Sequence, residues 1–198
     1  MVYNLAVERL ALRMQIRTKN KVYTLAMTAM MAAVIAAVSP FAIPIGPTPI
    51  TLCTLALYFS PYILGWKRAA LATLVYILLG MVGVPVFSGF KAGLGVLMGP
   101  TGGYILGYIP MTALAGLGIQ TAPKSRKLQL LGMAGATAVL YAFGTVWFCF
   151  LSGNSLAYAA KWCVLPFIPG DLMKMAAAVT LGPVLRERLV LAGIHPEG

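Results

Sequence analysis

Asp171 and Lys174 are the two side chains whose types and spacing have the most chemistry to offer. Of the four acids among 198 residues, Glu8, Glu187 and Glu197 lie in polar segments, and Asp171 alone sits against an apolar run. Lys174 follows three residues later, and i,i+3 spacing puts both on one helix face. A carboxylate acceptor beside an ammonium donor suits a ligand with neighbouring N–H and C=O groups. Two plainer roles compete. Pro169-Gly170-Asp171 is a good helix-start sequence, which would make Asp171 an N-cap. Capping leaves Lys174 unexplained, because a cation in the first turn opposes the helix dipole. Lys174 could instead snorkel to a membrane interface, or simply pair with Asp171. Ionisable residues in such apolar places are functional candidates by default.

A second group of candidates lies in the stretch Val84 to Tyr104. It holds six glycines, two prolines, Phe87, Phe90 and the single lysine Lys91. A plain connector between helices needs only a few turn residues. Phe87, Phe90 and Tyr104 are aromatic candidates for the wall of a binding pocket, with Ser88 and Lys91 as nearby polar groups. Gly99-Pro100 suits a helix entry, and the N–H groups near Thr101 and Gly102 would be unpaired donors at a helix start. Close helix packing alone would also call for glycine. Cys53, Cys149 and Cys163 show no metal spacing and read as small buried hydrophobes. His195, the single histidine of the sequence, lies in a polar tail and reads as inert. No Walker A loop, triad or metal cluster is present. The sequence therefore points to a binding protein, not an enzyme, with no cofactor and no metal.

These residues must be positioned by membrane helices. The chain is 60% hydrophobic and 10% charged, which marks an integral membrane protein. Net charge is +11, from 15 Lys/Arg against four acids. The basic residues cluster between hydrophobic stretches, so the excess reports topology and not nucleic-acid binding. Six spans are expected: Tyr23 to Ile43, Ile50 to Leu64, Ala69 to Gly83, Tyr104 to Ile119, Leu128 to Leu151 and Asp171 to Leu185. A stiff Pro-rich loop, Pro44 to Pro49, joins the first two. The expected organisation is a polar basic segment over 1–22, a six-helix domain over 23–188 and a tail over 189–198. A short interfacial helix around Glu8, Arg9 and Arg13, or a loose extension, precedes the first span.

Six spans put both termini on one side with twelve of the 15 basic residues; Lys91, Lys161 and Lys174 are the others. The positive-inside rule places that side in the cytoplasm. Spans two, three, four and six fall short of the roughly 20 residues a perpendicular crossing needs. Non-helical backbone at that depth is tolerated where it lines a cavity. The outer loops are therefore expected to dip inward and close an external pocket. Span one carries Ala29, Ala33 and Ala37 at helical spacing, with Ala32 and Ala36 alongside, a small-residue face that serves either packing within the bundle or close docking.

The run Ile43-Pro44 through Gly46-Pro47-Thr48-Pro49-Ile50-Thr51-Leu52, then Gly83 to Gly89, Gly99 to Tyr104, and Pro169-Gly170-Asp171 with Lys174, resembles the BioY family. The resemblance covers roughly residues 24–186 through four separated motifs in order. Cys53 departs from the polar residue expected there, and residues 1–20 are longer than usual. The resemblance implies an all-α S-component fold and capture of biotin from outside. It also implies coupling to the transmembrane T subunit of an energy-coupling factor (ECF) transporter and two ATP-binding-cassette ATPases. The alanine face of span one would then dock on the T subunit, in a prokaryotic cell membrane. An S component for another vitamin is the runner-up, and a self-sufficient secondary transporter of a small organic anion is a second class. Secondary transporters usually show internal repeats, and none is evident here.

Overall fold

Each of the six expected hydrophobic segments contains a helix, and four short elements that the hydrophobic pattern did not reveal accompany them among the described residues. The computed structural model describes residues 21–45 and 48–192. In chain order these form α1 (Lys21–Val38), β1 (Ala42–Ile45), β2 (Thr48–Thr51), α2 (Cys53–Leu64) and α3 (Trp66–Met81). There follow α4 (Leu94–Leu97), α5 (Gly102–Thr121), α6 (Arg126–Ser152), α7 (Leu156–Cys163) and α8 (Ile168–Leu191). The expected helix around Glu8, Arg9 and Arg13, the pair at 46–47, and His195 lie outside the described residues.

The chain is mostly helical but not all-α. The expected first span ends early, at Val38, because Pro40 disfavours a helical conformation at the residue before it. Ser39 closes the helix, its N–H and hydroxyl both donating to Ile35 O, at 3.0 and 2.6 Å. Ala42, Ile43 and Ile50, expected in spans one and two, belong instead to an antiparallel hairpin. Its register sets Pro44 opposite Pro49, flanked by Ile43↔Ile50 and Ile45↔Thr48. Two residues without N–H groups thus share one rung, and the ladder bonds fall to their neighbours. The Thr51 hydroxyl then accepts from Cys53 N as α2 begins.

α1, α5 and α6 are each long and apolar enough to cross a membrane; α7 with α8 makes a fourth candidate span, bent by 52°. α2, of 12 residues, and α3, of 16, are shorter. At about 1.5 Å per residue, α2 covers only about 18 Å. The basic residues at the start of α3, around the α5–α6 connection and near the end of α8 gather at one end of the bundle; the hairpin and residues 84–93 lie at the other.

α5 and α6 pack along their length. Gly118 and Gly132 face each other so closely that a Cβ on either would stand 3.0 Å from the other's Cα, the backbone approach that only glycine permits. Buried hydroxyls tie the apolar layers together. Tyr58 OH pairs with Thr137 Oγ1 at 2.6 Å, and Tyr62 OH donates to Gln129 Oε1 at 2.7 Å. Gln129 Nε2 in turn donates to the Ala122 and Pro123 carbonyls at the end of α5. Each buried polar group so satisfied avoids its desolvation cost.

Candidate functional site

At the end of the bundle away from the basic loops, the hairpin, the 84–93 segment and the ends of the helices enclose a cavity. Thr48, Pro49 and Thr51 come from the hairpin, Cys53 and Thr54 from α2, Tyr76 from α3 and Tyr104 and Tyr108 from α5. Leu140 and Tyr141 of α6, Cys163 of α7, and Asp171 and Lys174 of α8 complete the wall, with Phe167 just before α8. Phe87, Ser88 and Lys91 come from the loop. Non-helical backbone thus lines a cavity, as short helices in a bilayer require.

The polar centre is the Asp171–Lys174 pair. Their side chains are 5% and 13% exposed, and Lys174 Nζ stands 3.0 Å from Asp171 Oδ1. Lys174 Nζ also donates to the Thr51 carbonyl at 2.8 Å and to Thr54 Oγ1 at 2.9 Å. All three N–H donors of the ammonium therefore have acceptors. The Thr54 hydroxyl donates to Asp171 Oδ1 at 3.2 Å, and Tyr141 OH donates to Oδ2 at 2.6 Å. Helices α2, α6 and α8 and the hairpin thus meet at one carboxylate and one ammonium. Asp171 is not an N-cap. Helix α8 begins three residues earlier, and the Asp171 N–H is already bonded to Phe167 O at 2.8 Å. Its charge complements the N-terminal dipole of α8, while Lys174 opposes that dipole and is held by its three acceptors instead.

The other expected residues divide. Phe87, Ser88, Lys91, Thr101 and Tyr104 line the cavity. Phe87 is buried and meets Tyr76 edge-on, with ring centroids 5.8 Å apart. Tyr104 OH pairs with Thr145 Oγ1 at 3.0 Å, and Lys91 is exposed at the mouth. Phe90 does not line the cavity. The Phe87 N–H bonds to Lys91 O across a tight turn, Phe90 takes φ 58°, and its ring points outward. It is 60% exposed and packs edge-on against Phe41. Gly102 does not line it either. The Leu97 carbonyl lies where a Gly102 Cβ would be, and Gly102 N donates to Gly99 O at 3.0 Å. The expected open helix start is therefore closed by backbone at that position. On α1, Ala29, Ala33 and Ala37 are all exposed, whereas Ala32 is buried.

Thr51, Thr54, Tyr76, Tyr108 and Tyr141 were missed. A usable signal existed: the three tyrosines interrupt apolar spans in the half nearest the outer loops. Cys53 and Cys163 are buried as expected, but they also form cavity wall. The Thr48 hydroxyl is buried and has no hydrogen-bond partner among the described residues.

A model of the BioY family matches residues 12–190. Biotin transporter BioY2 of Lactococcus lactis is 36% identical over 171 residues, which is 86% of this chain and 93% of that protein. A probable biotin transporter BioY of Pyrococcus horikoshii is 34% identical over 169 residues, 85% of this chain and 97% of that one. The crystal structure of the S-component for biotin from an ECF-type ABC transporter superposes with a TM-score of 0.78 at 27% identity. The match covers 85% of this chain and 93% of that one.

Proposed function

This chain belongs to the BioY family, and from that premise we propose that it is the biotin-binding S component of an ECF importer. The observation that carries the proposal is the buried Asp171–Lys174 pair in the wall of an otherwise largely apolar and aromatic cavity. Such a lining, with a few placed polar groups, is what small-molecule sites share. The names of the relatives and of the similar structure support biotin as the ligand. The chain binds; ATP hydrolysis is left to two ATPases reached through the transmembrane T subunit.

In this proposal six helices cross the bilayer: α1, α2, α3, α5, α6 and α8. Both termini are cytoplasmic and the cavity opens outside, an orientation supported by the concentration of basic residues at the opposite end. The exposed Ala29, Ala33 and Ala37 face docks on the T subunit.

In the proposed pose Asp171 accepts a ureido N–H and Lys174 donates to the ureido oxygen. Because the three Lys174 donors are engaged, the ligand oxygen must replace one acceptor. Of the two neutral acceptors, Thr51 O and Thr54 Oγ1, the Thr51 carbonyl is the one that no helix holds. The tail carboxylate goes to Lys91 at the mouth, where no acceptor holds the ammonium among the described residues, with Thr101 nearby. The test is calorimetry on the isolated protein with biotin, thiamine, pantothenate and riboflavin. Biotin alone should give binding heat, without ATP. No heat and no competition with labelled biotin would sink the proposal.

A further inference from the structure

Between α6 and α8 the chain passes through α7, eight residues with two sharply different sides. Ser155 caps it, its hydroxyl accepting from Tyr158 N at 3.3 Å. Ala159 and Cys163, one turn apart, are buried against Phe148 of α6. At about 100° per residue, Ala157 and Lys161 lie opposite that face, with Tyr158 and Trp162 on one flank and Leu156 on the other. All five are exposed. The Tyr158 and Trp162 rings are 6.4 Å apart, and Lys161 Nζ is 5.9 Å from the Trp162 ring. The exposed apolar surface continues on both sides, through Phe150 and Leu151 at the end of α6 and Leu165, Ile168 and Leu172 leading into α8.

We infer that α7 is an interfacial helix seated in the headgroup layer, and that its partner is the phospholipid surface. Its flanks run into the outward apolar faces of α6 and α8, which belong to the hydrocarbon layer. Tyrosine and tryptophan at that boundary place a ring among acyl chains and a polar atom toward water. Lys161, on the face turned furthest from the protein, meets the phosphates. A helix standing in water gains nothing from exposing Leu156, Tyr158 and Trp162 together, and one buried in hydrocarbon would not turn a lysine outward. Cys163 reaches the cavity from the opposite side of the same helix. The bilayer therefore backs one wall of the site. The inference does not depend on which ligand fills it.

The test uses the full chain in phosphatidylcholine vesicles and reads Trp162 as the fluorescence difference between parent and Trp162→Phe. Lipids brominated high on the acyl chain should quench that difference strongly, and lipids brominated near the chain end should quench it weakly. Quenching by aqueous iodide with no effect of bromolipid would put α7 in water and overturn the inference. Equal or stronger quenching from the chain end would overturn it by placing α7 too deep. A second measurement follows Cys163, identified against Cys163→Ala, with a water-soluble maleimide. Tyr158→Ser/Trp162→Ser should raise its labelling rate several-fold in vesicles. An unchanged rate would show that the seating of α7 does not hold the wall.

Discussion

Asp171 and Lys174 each satisfy the other, so the loss of either has a defined consequence. Removing one partner leaves a buried unpaired charge, at a cost of about 2–5 kcal/mol. Lys174→Ala and Asp171→Asn are therefore expected to weaken biotin binding roughly 30-fold or more, at about 1.4 kcal/mol per tenfold. Biotin methyl ester separates two poses, since it removes the tail charge and leaves the ureido ring intact. In the proposed pose, Lys174→Ala weakens acid and ester by similar factors; if Lys174 instead meets the tail, only the acid suffers. Parent-like binding by both variants would remove the pair from the site. Phe87 and Phe90 make a second contrast, since both are phenylalanines in one loop yet only Phe87 is enclosed. Phe87→Ala should destabilise the protein by about 3–5 kcal/mol, as truncation of a buried aromatic does. Phe90→Ala should leave biotin affinity within about twofold, a difference of some 0.4 kcal/mol. A large affinity loss at Phe90, read by calorimetry, would mean that its turn folds inward over ligand.

In the proposed function the hairpin is the element on which capture depends. It contributes Thr48, Pro49 and Thr51 to the wall, and its Thr51 carbonyl holds Lys174. It is also pinned to the neighbouring turn, where Gly89 N donates to Pro40 O at 2.9 Å and Phe41 packs on Phe90. A lid closed over ligand excludes water and strengthens each polar contact beneath it. Limited proteolysis should therefore cut the hairpin and the α6–α8 connection more slowly with biotin than without. Equal cutting in both states would count against a lid. A different element-level dependence lies deeper, where α5 meets α6. Gly132→Leu has no space to fill beside Gly118, and overpacking of this kind costs about 1–3 kcal/mol. The variant should melt lower while Ala134→Gly, elsewhere on α6, moves the transition less. The same melting temperature for Gly132→Leu and parent would mean that the two helices can separate freely.

At the scale of the molecule, the surfaces proposed for binding and for energy coupling are separate. The cavity lies at one end, enclosed by loops, whereas Ala29, Ala33 and Ala37 form an exposed stripe along α1. In the proposed assembly, bulk on that stripe holds the T subunit away without touching the cavity. Ala33→Trp is expected to bind biotin like the parent and to lose uptake in cells carrying the partner subunits. Normal assembly and import by this variant would show that docking uses another face.

The amino-acid sequence by itself determined the membrane class and the six hydrophobic segments, and it singled out Asp171 and Lys174, which the structure pairs in the cavity wall. Those features follow from composition and from charge where apolar residues are the rule, and they need no knowledge of what touches what. The hairpin was partly legible too, in β-branched residues and two prolines symmetrically placed about Gly46-Pro47, but a run with prolines at 44, 47 and 49 reads equally as a stiff loop. Tertiary structure alone decided the rest. It drew Thr54, Tyr108 and Tyr141 from three helices to one cavity, and turned Phe90 outward beside an inward Phe87. It also set the Leu97 carbonyl where a Gly102 Cβ would be. Sequence spacing reports the face of a single helix; which faces meet is fixed by close packing between helices, at contacts such as Gly118 against Gly132.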